Sequence, residues 1–227
     1  MEKIYLLTDY RGRFGSKHDD SPYRSGMDHQ LLEASLRENG LLSEYVSFSD
    51  VKPGDGTWAG RLVLYTSSED FGLPYKQYIE DLVFALELAG ARVIPSFKFL
   101  RAHNNKVFME LLRDQLPSEF KGGLVSSHYG TAEELAERIN EIGFPVIVKG
   151  HSGAMGRNVF LARTADDLMK TVRSRITEKA SLRFRIKEYL RQYKHPGYRR
   201  ESFYRGRLII QNFIPGLEND WKVLVYG

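Results

Sequence analysis

The sequence predicts an α/β fold, with an open parallel sheet in the N-terminal part and a smaller α+β region after it. Three observations carry that prediction. Strand-like and helix-like runs follow one another up to Pro95 as strand, helix, strand, strand, helix, strand. "RLVLYTSS", from Arg61 to Ser68, is the unbroken apolar run of a buried parallel strand rather than an alternating one. From Asn105 onward the same rhythm resumes in shorter helices and strands.

Taken in order, Ile4 to Leu7 reads as the first strand, followed by the loop "TDYRGRFGSKHDDSPYRSG". A helix starts near Asp28 with Leu31, Leu32 and Leu36 at helical spacing, and Gly40 is suited to stop it. "EYVSF" and "RLVLYTSS" are the next strands. A helix over Tyr75 to Leu88 ends at Gly90 and hands over to the strand "ARVIP".

The second region reads as helix "KVFMELLRD", strand "GGLVSS", helix "TAEELAERINEIG", strand "FPVIVK", a glycine-rich loop, and strand "NVFLAR". Thr131 with Glu134 three positions later forms a capping box, and Gly143 closes that helix. Thr164 or Asp166 opens another. A helix near Ser181 to Tyr193 sets Leu182, Ile186, Leu190 and Tyr193 on one face and breaks at "HPGY". "RLIIQNFIPG" and "DWKVLVYG" read as the last two strands. The resulting division is an α/β domain over 1–100, a second domain over 101–207 with a basic connecting segment, and the first strands of a further lobe over 208–227.

Composition narrows the classes. With 227 residues, 42% of them hydrophobic, the chain can build a packed core. It has no cysteine, which excludes disulfides, thiolate zinc sites and a cysteine nucleophile. No stretch reaches the roughly 18 apolar residues of a membrane helix, and the start is too quickly polar for a signal peptide, so a cytoplasmic protein without membrane contact is expected. The histidines show no metal-ligand spacing. The net charge of +4 is uneven: 13 of the 33 Lys/Arg but only 3 of the 29 Asp/Glu lie between Lys170 and Arg207. That segment is either a solvated helical surface or a contact for an anion or nucleic acid.

Chemistry concentrates in "FPVIVKGHSGAMGRNVFLA", from Phe144 to Ala162. Gly150, Gly153 and Gly156 match neither the Walker loop nor the dinucleotide fingerprint, because the next residues, Asn158 to Ala162, have strand propensity where both of those motifs open a helix. The loop is therefore either a plain hairpin or a flap whose glycines and Ser152 turn backbone N–H groups toward an anion. Lys149, at the exit of an apolar strand, needs a partner there.

"EIGFPVIVKGHSGAMGRNVFLARTADDL" resembles the nucleotide-binding segment of the ATP-grasp superfamily. "HNNKVFMELLRD" is similar to the helix that opens that family's first lobe, and "LIIQNFIPGLENDWKVLVYG" to the strand, hinge and strand that hold adenine and ribose. The three stretches come in the family's order between Asn104 and Gly227, and the preceding α/β domain is similar to the family's pre-ATP-grasp domain. The resemblance implies a fold of pre-ATP-grasp sheet, ATP-grasp first lobe, and the start of a second lobe.

By this resemblance Lys106 and Lys149 reach the α- and β-phosphates, and the loop with Gly150, Ser152, Gly153 and Gly156 closes over them. Gln211 faces the exocyclic amine with its carbonyl, where the family usually has Glu. Phe213 lines the pocket, Ile214 offers its backbone to the adenine edge, and Asn212 belongs to the same nucleotide-binding stretch. The ribose carboxylate is Glu218 or Asp220; the Asp-x-Lys at Asp220 and Lys222 resembles the Asp-x-Arg of the ribosomal-protein glutamate ligase branch, which favours Asp220. Arg11, Arg13 and Lys17 follow the first strand, where this family's substrate binds, and suit a carboxylate; Lys222 is the fourth substrate candidate.

The implied function is ATP-dependent ligation of a small-molecule carboxylate to an amine or similar nucleophile through an acyl phosphate. ATP and Mg²⁺ are the implied cofactors, with the metal ligands expected beyond residue 227. Such a chain resembles an ATP-grasp enzyme cut before its second lobe and is expected to be inactive alone. The other classes are a nucleotide-binding module without catalysis, and polyanion or nucleic-acid binding through residues 170–207.

Overall fold

A computed structural model describes residues 2–14, 28–68, 70–150 and 158–217, and the chain divides into two compact units, Met1–Arg101 and Ala102–Gly227. It is a mixed α/β structure with one parallel and one antiparallel sheet.

The first unit contains β1 (Glu2–Thr8), α1 (His29–Glu38), β2 (Leu41–Ser47), β3 (Leu62–Tyr65), α2 (Pro74–Leu88), β4 (Arg92–Ile94) and the start of α3 (Phe97–Ala102). Its sheet runs β2-β1-β3-β4 with every pair parallel. The apolar runs arise because both faces are covered. Along β1, Tyr5 and Leu7 pack with Phe48, Trp58, Val83 and Leu86, whereas Ile4 and Leu6 pack with Phe14, Leu32 and Leu36. The start of α2 is held by Asp70, whose carboxylate accepts the N–H groups of Tyr75 and Lys76 at 3.0 and 3.1 Å. Within α2 the buried Lys76–Glu80 pair is joined by Arg101, at 2.6 Å from Glu80, and by the Leu100 carbonyl, which ties α3 to α2.

The second unit contains α4 (Lys106–Arg113), β5 (Ser126–Thr131), α5 (Ala132–Glu137), β6 (Val146–Gly150), β7 (Val159–Ala162), α6 (Ala165–Thr171), a π-helical turn (Val172–Ile176), β8 (Glu178–Lys179), α7 (Leu182–Lys194) and β9 (Tyr204–Asn212). The sheet order is β5-β9-β6-β7, with β8 also paired to β9 and all pairs antiparallel. Val146, Val148, Leu208 and Ile210 share a core with Ala132 and Leu135 of α5 and Leu168 of α6. Thr131 and Glu134 make the reciprocal capping box, and Thr164 caps α6 by accepting the Asp167 N–H at 3.2 Å.

Three elements differ from expectation. The strand expected at "GGLVSS" begins only at Ser126, because Gly122 is left-handed (φ 58°) and the ladder starts where Ser126 meets Gln211; the apolar Val125 is 70% exposed. The helix expected to reach Gly143 stops at Glu137, since Arg138 leaves the α region (φ −111°, ψ 12°) and the chain tightens to a 3₁₀ turn over Ile139–Glu141. On α7 the expected apolar face is solvent-exposed, with Leu182 at 73% and Tyr193 at 92%.

The residue α7 buries is Glu188, whose carboxylate accepts from Arg191 Nη1, Tyr198 Oη and the Glu201 N–H at 2.9, 2.8 and 3.0 Å. Helical spacing marks a stripe but not the side on which the rest of the protein lies. β9 passes from 207 to 208 as one unbroken strand. The expected strand "DWKVLVYG" lies outside the described residues.

Candidate functional site

The site is built on α4 and on the sheet face turned away from α5 and α6. Asn105 begins α4 by accepting the Phe108 N–H at 3.3 Å on its side-chain oxygen. Positions i, i+4 and i+7 of a helix share a face, so Lys106, Glu110 and Arg113 line up along α4. In the sheet, Lys149 lies opposite Ile209, and Ile147 and Ser126 flank Gln211 on either side. Since Val146, Val148, Leu208 and Ile210 point into the α5/α6 core, strand alternation puts Ile147, Lys149, Ile209 and Gln211 on the other face.

One carboxylate joins the two layers. Glu110 Oε1 accepts from Gln211 Nε2 at 2.8 Å, and Oε2 accepts from Ser126 Oγ and Arg113 Nη2, both at 2.8 Å. Arg113 Nη2 also donates to Ser126 Oγ at 2.7 Å. Gln211 is fully enclosed, with 2% exposure. With its amide nitrogen tied to Glu110, its carbonyl oxygen is turned the opposite way. Nε and Nη1 of Arg113 are buried and have no hydrogen-bond partner among the described residues. Buried donors of this kind call for an acceptor.

The two lysines are electrostatically coupled. Burial pushes the Lys149 ammonium below the usual lysine range; Glu110 opposes that shift and Arg113 adds to it. Burial likewise lowers Lys106, and the charge of Lys149 lowers it further. Lys106 from α4 and Lys149 from β6 thus come close enough to repel each other, and the Glu110 carboxylate beside Lys149 is already engaged by Arg113, Ser126 and Gln211. An anion carrying several charges would relieve both effects.

Among the other expected residues, Gly150 ends β6, where its N–H donates to the Asn158 carbonyl at 3.0 Å, and a Cβ added to it would meet Asn158 Cβ at 3.3 Å. Asn212 does not join the cluster: its carboxamide holds the neighbouring segment, accepting from Val125 N–H at 2.8 Å and donating to the Gly123 carbonyl at 3.0 Å. Phe213 and Ile214 follow β9, 39% and 44% exposed, and the Phe213 N–H donates to the Pro145 carbonyl at 3.4 Å.

In the first unit, Asp9 grips its own loop. Its Oδ2 accepts Nε and Nη2 of Arg11 at 2.8 and 2.7 Å, and its Oδ1 accepts the N–H groups of Arg11 and Arg13 at 2.8 and 3.1 Å. Burial raises the Asp9 carboxyl, but these bonds outweigh it and hold it below the usual range. Lys17, Ser152, Gly153, Gly156, Glu218, Asp220 and Lys222 lie outside the described residues.

Sequence reasoning passed over Glu110, Arg113 and Ser126. The signal was present for two of them: in "KVFMELLRD" the charged residues recur at i, i+4 and i+7 between apolar ones, which marks a polar face on a short helix.

Residues 102–197 match the sequence profile of the RimK-like ATP-grasp domain. Among solved structures, the chain is similar to a RimK domain ATP-grasp protein from Sphaerobacter thermophilus at 17% identity and a TM-score of 0.42, covering 94% of this chain and 64% of that one. It is also similar to the D-cycloserine synthetase DcsG (13% identity, TM-score 0.42, covering 95% of this chain and 61% of that one). A third is a D-alanine–D-alanine ligase from Bacillus anthracis (12% identity, TM-score 0.40, covering 95% and 59%). The chain thus spans less than two thirds of the length of each of these structures. No helix among the described residues is long and apolar enough to cross a membrane.

Proposed function

We propose, from the match of residues 102–197 to the RimK-like ATP-grasp domain, that the chain binds ATP between α4 and the β6/β9 sheet face and serves the ATP-dependent ligation of a small-molecule carboxylate to an amine or similar nucleophile. The observation that supports this reading best is the meeting of Lys106 and Lys149, two partly buried lysines from different elements, both lowered by burial and Lys106 also by the charge of Lys149.

Bound ATP would supply the phosphoryl group that converts the carboxylate to an acyl phosphate open to capture by the nucleophile. Lys106 and Lys149 neutralise phosphate charge, and the segment containing Gly150, Ser152, Gly153 and Gly156 covers the phosphates. Nε and Nη1 of Arg113, which have no hydrogen-bond partner among the described residues, add donors to this site. Gln211, held by Glu110, presents its carbonyl to the base beside Phe213 and Ile214, and Asp220 or Glu218 takes the ribose. Mg²⁺ would accompany the phosphates; among the described residues no group of three or more His, Asp or Glu could hold a metal ion. Arg11, Arg13 and Lys17 are the contacts proposed for a substrate carboxylate, and the guanidinium of Arg11 also donates to Asp9.

A thermal-shift series with ATP, ADP and GTP, each with and without Mg²⁺, tests the reading on the wild type and on Lys149→Ala. A ligand present at about 100 times its dissociation constant stabilises by about 2.7 kcal/mol. The wild type should shift with ATP and the variant much less; a wild type that shifts with no nucleotide sinks the proposal.

A further inference from the structure

On the helix-covered side of the second sheet, opposite Lys149, a recess of about 630 Å³ opens between α6, the π-helical turn, β8 and α7. Its lining includes Lys170, Arg173, Lys179 and Arg185 against one carboxylate, Asp166. None of these four cations has a carboxylate in ion-pair contact among the described residues.

The arginines are held in place. Both guanidinium groups lie over the ring of Tyr204, which forms part of the wall, at 5.6 Å for Arg173 and 5.5 Å for Arg185. Arg185 also lies 5.3 Å from the Phe203 ring centre and donates Nε to the Ala180 carbonyl at 3.2 Å. Lys170 comes from the last turn of α6 and Arg173 from the π-helical turn that follows it, whose widened backbone is closed by two bonds from Thr177, N–H and Oγ1, to the Val172 carbonyl at 3.0 and 3.1 Å. Turns of this kind cost backbone regularity and recur at functional positions.

We propose that this recess is a second anion site, which binds a compact phosphate compound carrying several charges. Four cations from separate elements converge on one open recess of a size that holds a small ligand, and an extended surface stripe would not need that convergence. Planar guanidinium groups steadied by aromatic rings suit phosphate oxygens, which they meet two at a time. Like charges gathered with one carboxylate repel until an anion joins them. The inference stands apart from the nucleotide reading, because it uses no residue of α4, β6 or the glycine-rich loop.

Calorimetric titration of inorganic tripolyphosphate into the chain tests it. Lys149→Ala serves as the background, so that binding at the nucleotide site is weakened. In that background the titration should show one binding event, and adding Lys170→Gln with Arg173→Gln should weaken it by about tenfold or more. Both residues are exposed, so these changes leave the fold intact. Arg183→Gln with Lys194→Gln removes the same charge from α7 outside the recess and should change affinity by less than about twofold. Equal weakening by the two pairs would make the effect one of diffuse charge and overturn the site, as would the absence of any binding in the background. A single-stranded oligonucleotide that bound more tightly than tripolyphosphate, and lost affinity with both pairs alike, would overturn the compact-ligand reading in favour of an extended surface.

Discussion

Glu110 and Gln211, 101 positions apart in the chain, are joined by a hydrogen bond of 2.8 Å that fastens α4 to the end of β9. Ser126 and Arg113 complete the set around the same carboxylate. Replacing Glu110 by Ala leaves Gln211, Ser126 and Arg113 with unmet donors in a largely closed space. The expected loss is about 2–3 kcal/mol of folding stability, read from urea unfolding. A change below about 0.5 kcal/mol would show that water satisfies the cluster equally well.

The lysines give a pH signature. Lys149 and Lys106 have folded pKa values lowered from the ordinary lysine value, first by burial and for Lys106 also by Lys149. Their charged forms are thus disfavoured in the folded chain. The resulting penalty is full below the folded pKa and fades as pH rises toward the unfolded value. Lys149→Met should accordingly raise the melting temperature of the ligand-free chain at neutral pH while abolishing its response to ATP. A lowered melting temperature would count against a buried, strained ammonium.

Nucleotide binding should also take up protons. A polyphosphate beside Lys149 restores its ordinary affinity for a proton, so ATP affinity falls as pH rises through the lowered lysine value. Calorimetry at alkaline pH in two buffers of different ionisation heat measures this. Proton release on binding would contradict the proposed phosphate contact.

Glu188 organises the turn after α7. The Glu201 N–H first, with the Tyr198 and Arg191 bonds, holds its carboxyl below the usual range against the cost of burial. Its contribution to stability is therefore present above the unfolded carboxyl value and is lost as pH falls through the folded one. In Glu188→Ala the Glu201 amide should lose hydrogen-exchange protection together with residues 195–201, and protection unchanged from wild type would refute the anchoring role.

Thr131→Ala removes the cap of α5, at a cost of about 1 kcal/mol in urea unfolding. Glu134, which accepts the Gly130 and Thr131 N–H groups at 2.7 and 3.0 Å, should lose part of its effect in the same variant. A double-mutant cycle with Glu134→Ala reads that coupling, and strict additivity would argue against a reciprocal box.

How much the sequence alone determined depended on the range of the interaction. The Thr131–Glu134 cap spans three positions, and the buried run at β3 carries its own signature because both faces of a parallel sheet are covered. Lys149 and Gly150 stood out for a similar reason, as a cation and a glycine closing an apolar strand.

The partners of Glu110 could not be found in this way, since no local pattern links positions 110 and 211; the pairing exists because β9 runs between β5 and β6, with Gln211 opposite both Ser126 and Ile147. The outward turn of the α7 apolar face is of the same kind. Periodicity records that Leu182, Ile186 and Tyr193 share a side, but the buried contacts of Glu188 and the stacking of Arg185 and Arg200 on Tyr204, Phe203 and Tyr189 set which side faces the protein. The basic segment likewise read as a single run of charge. Folding sorted it into a helix exterior and a recess, because the π-helical turn and α7 bring Arg173 and Arg185, twelve positions apart in the chain, onto the same tyrosine ring.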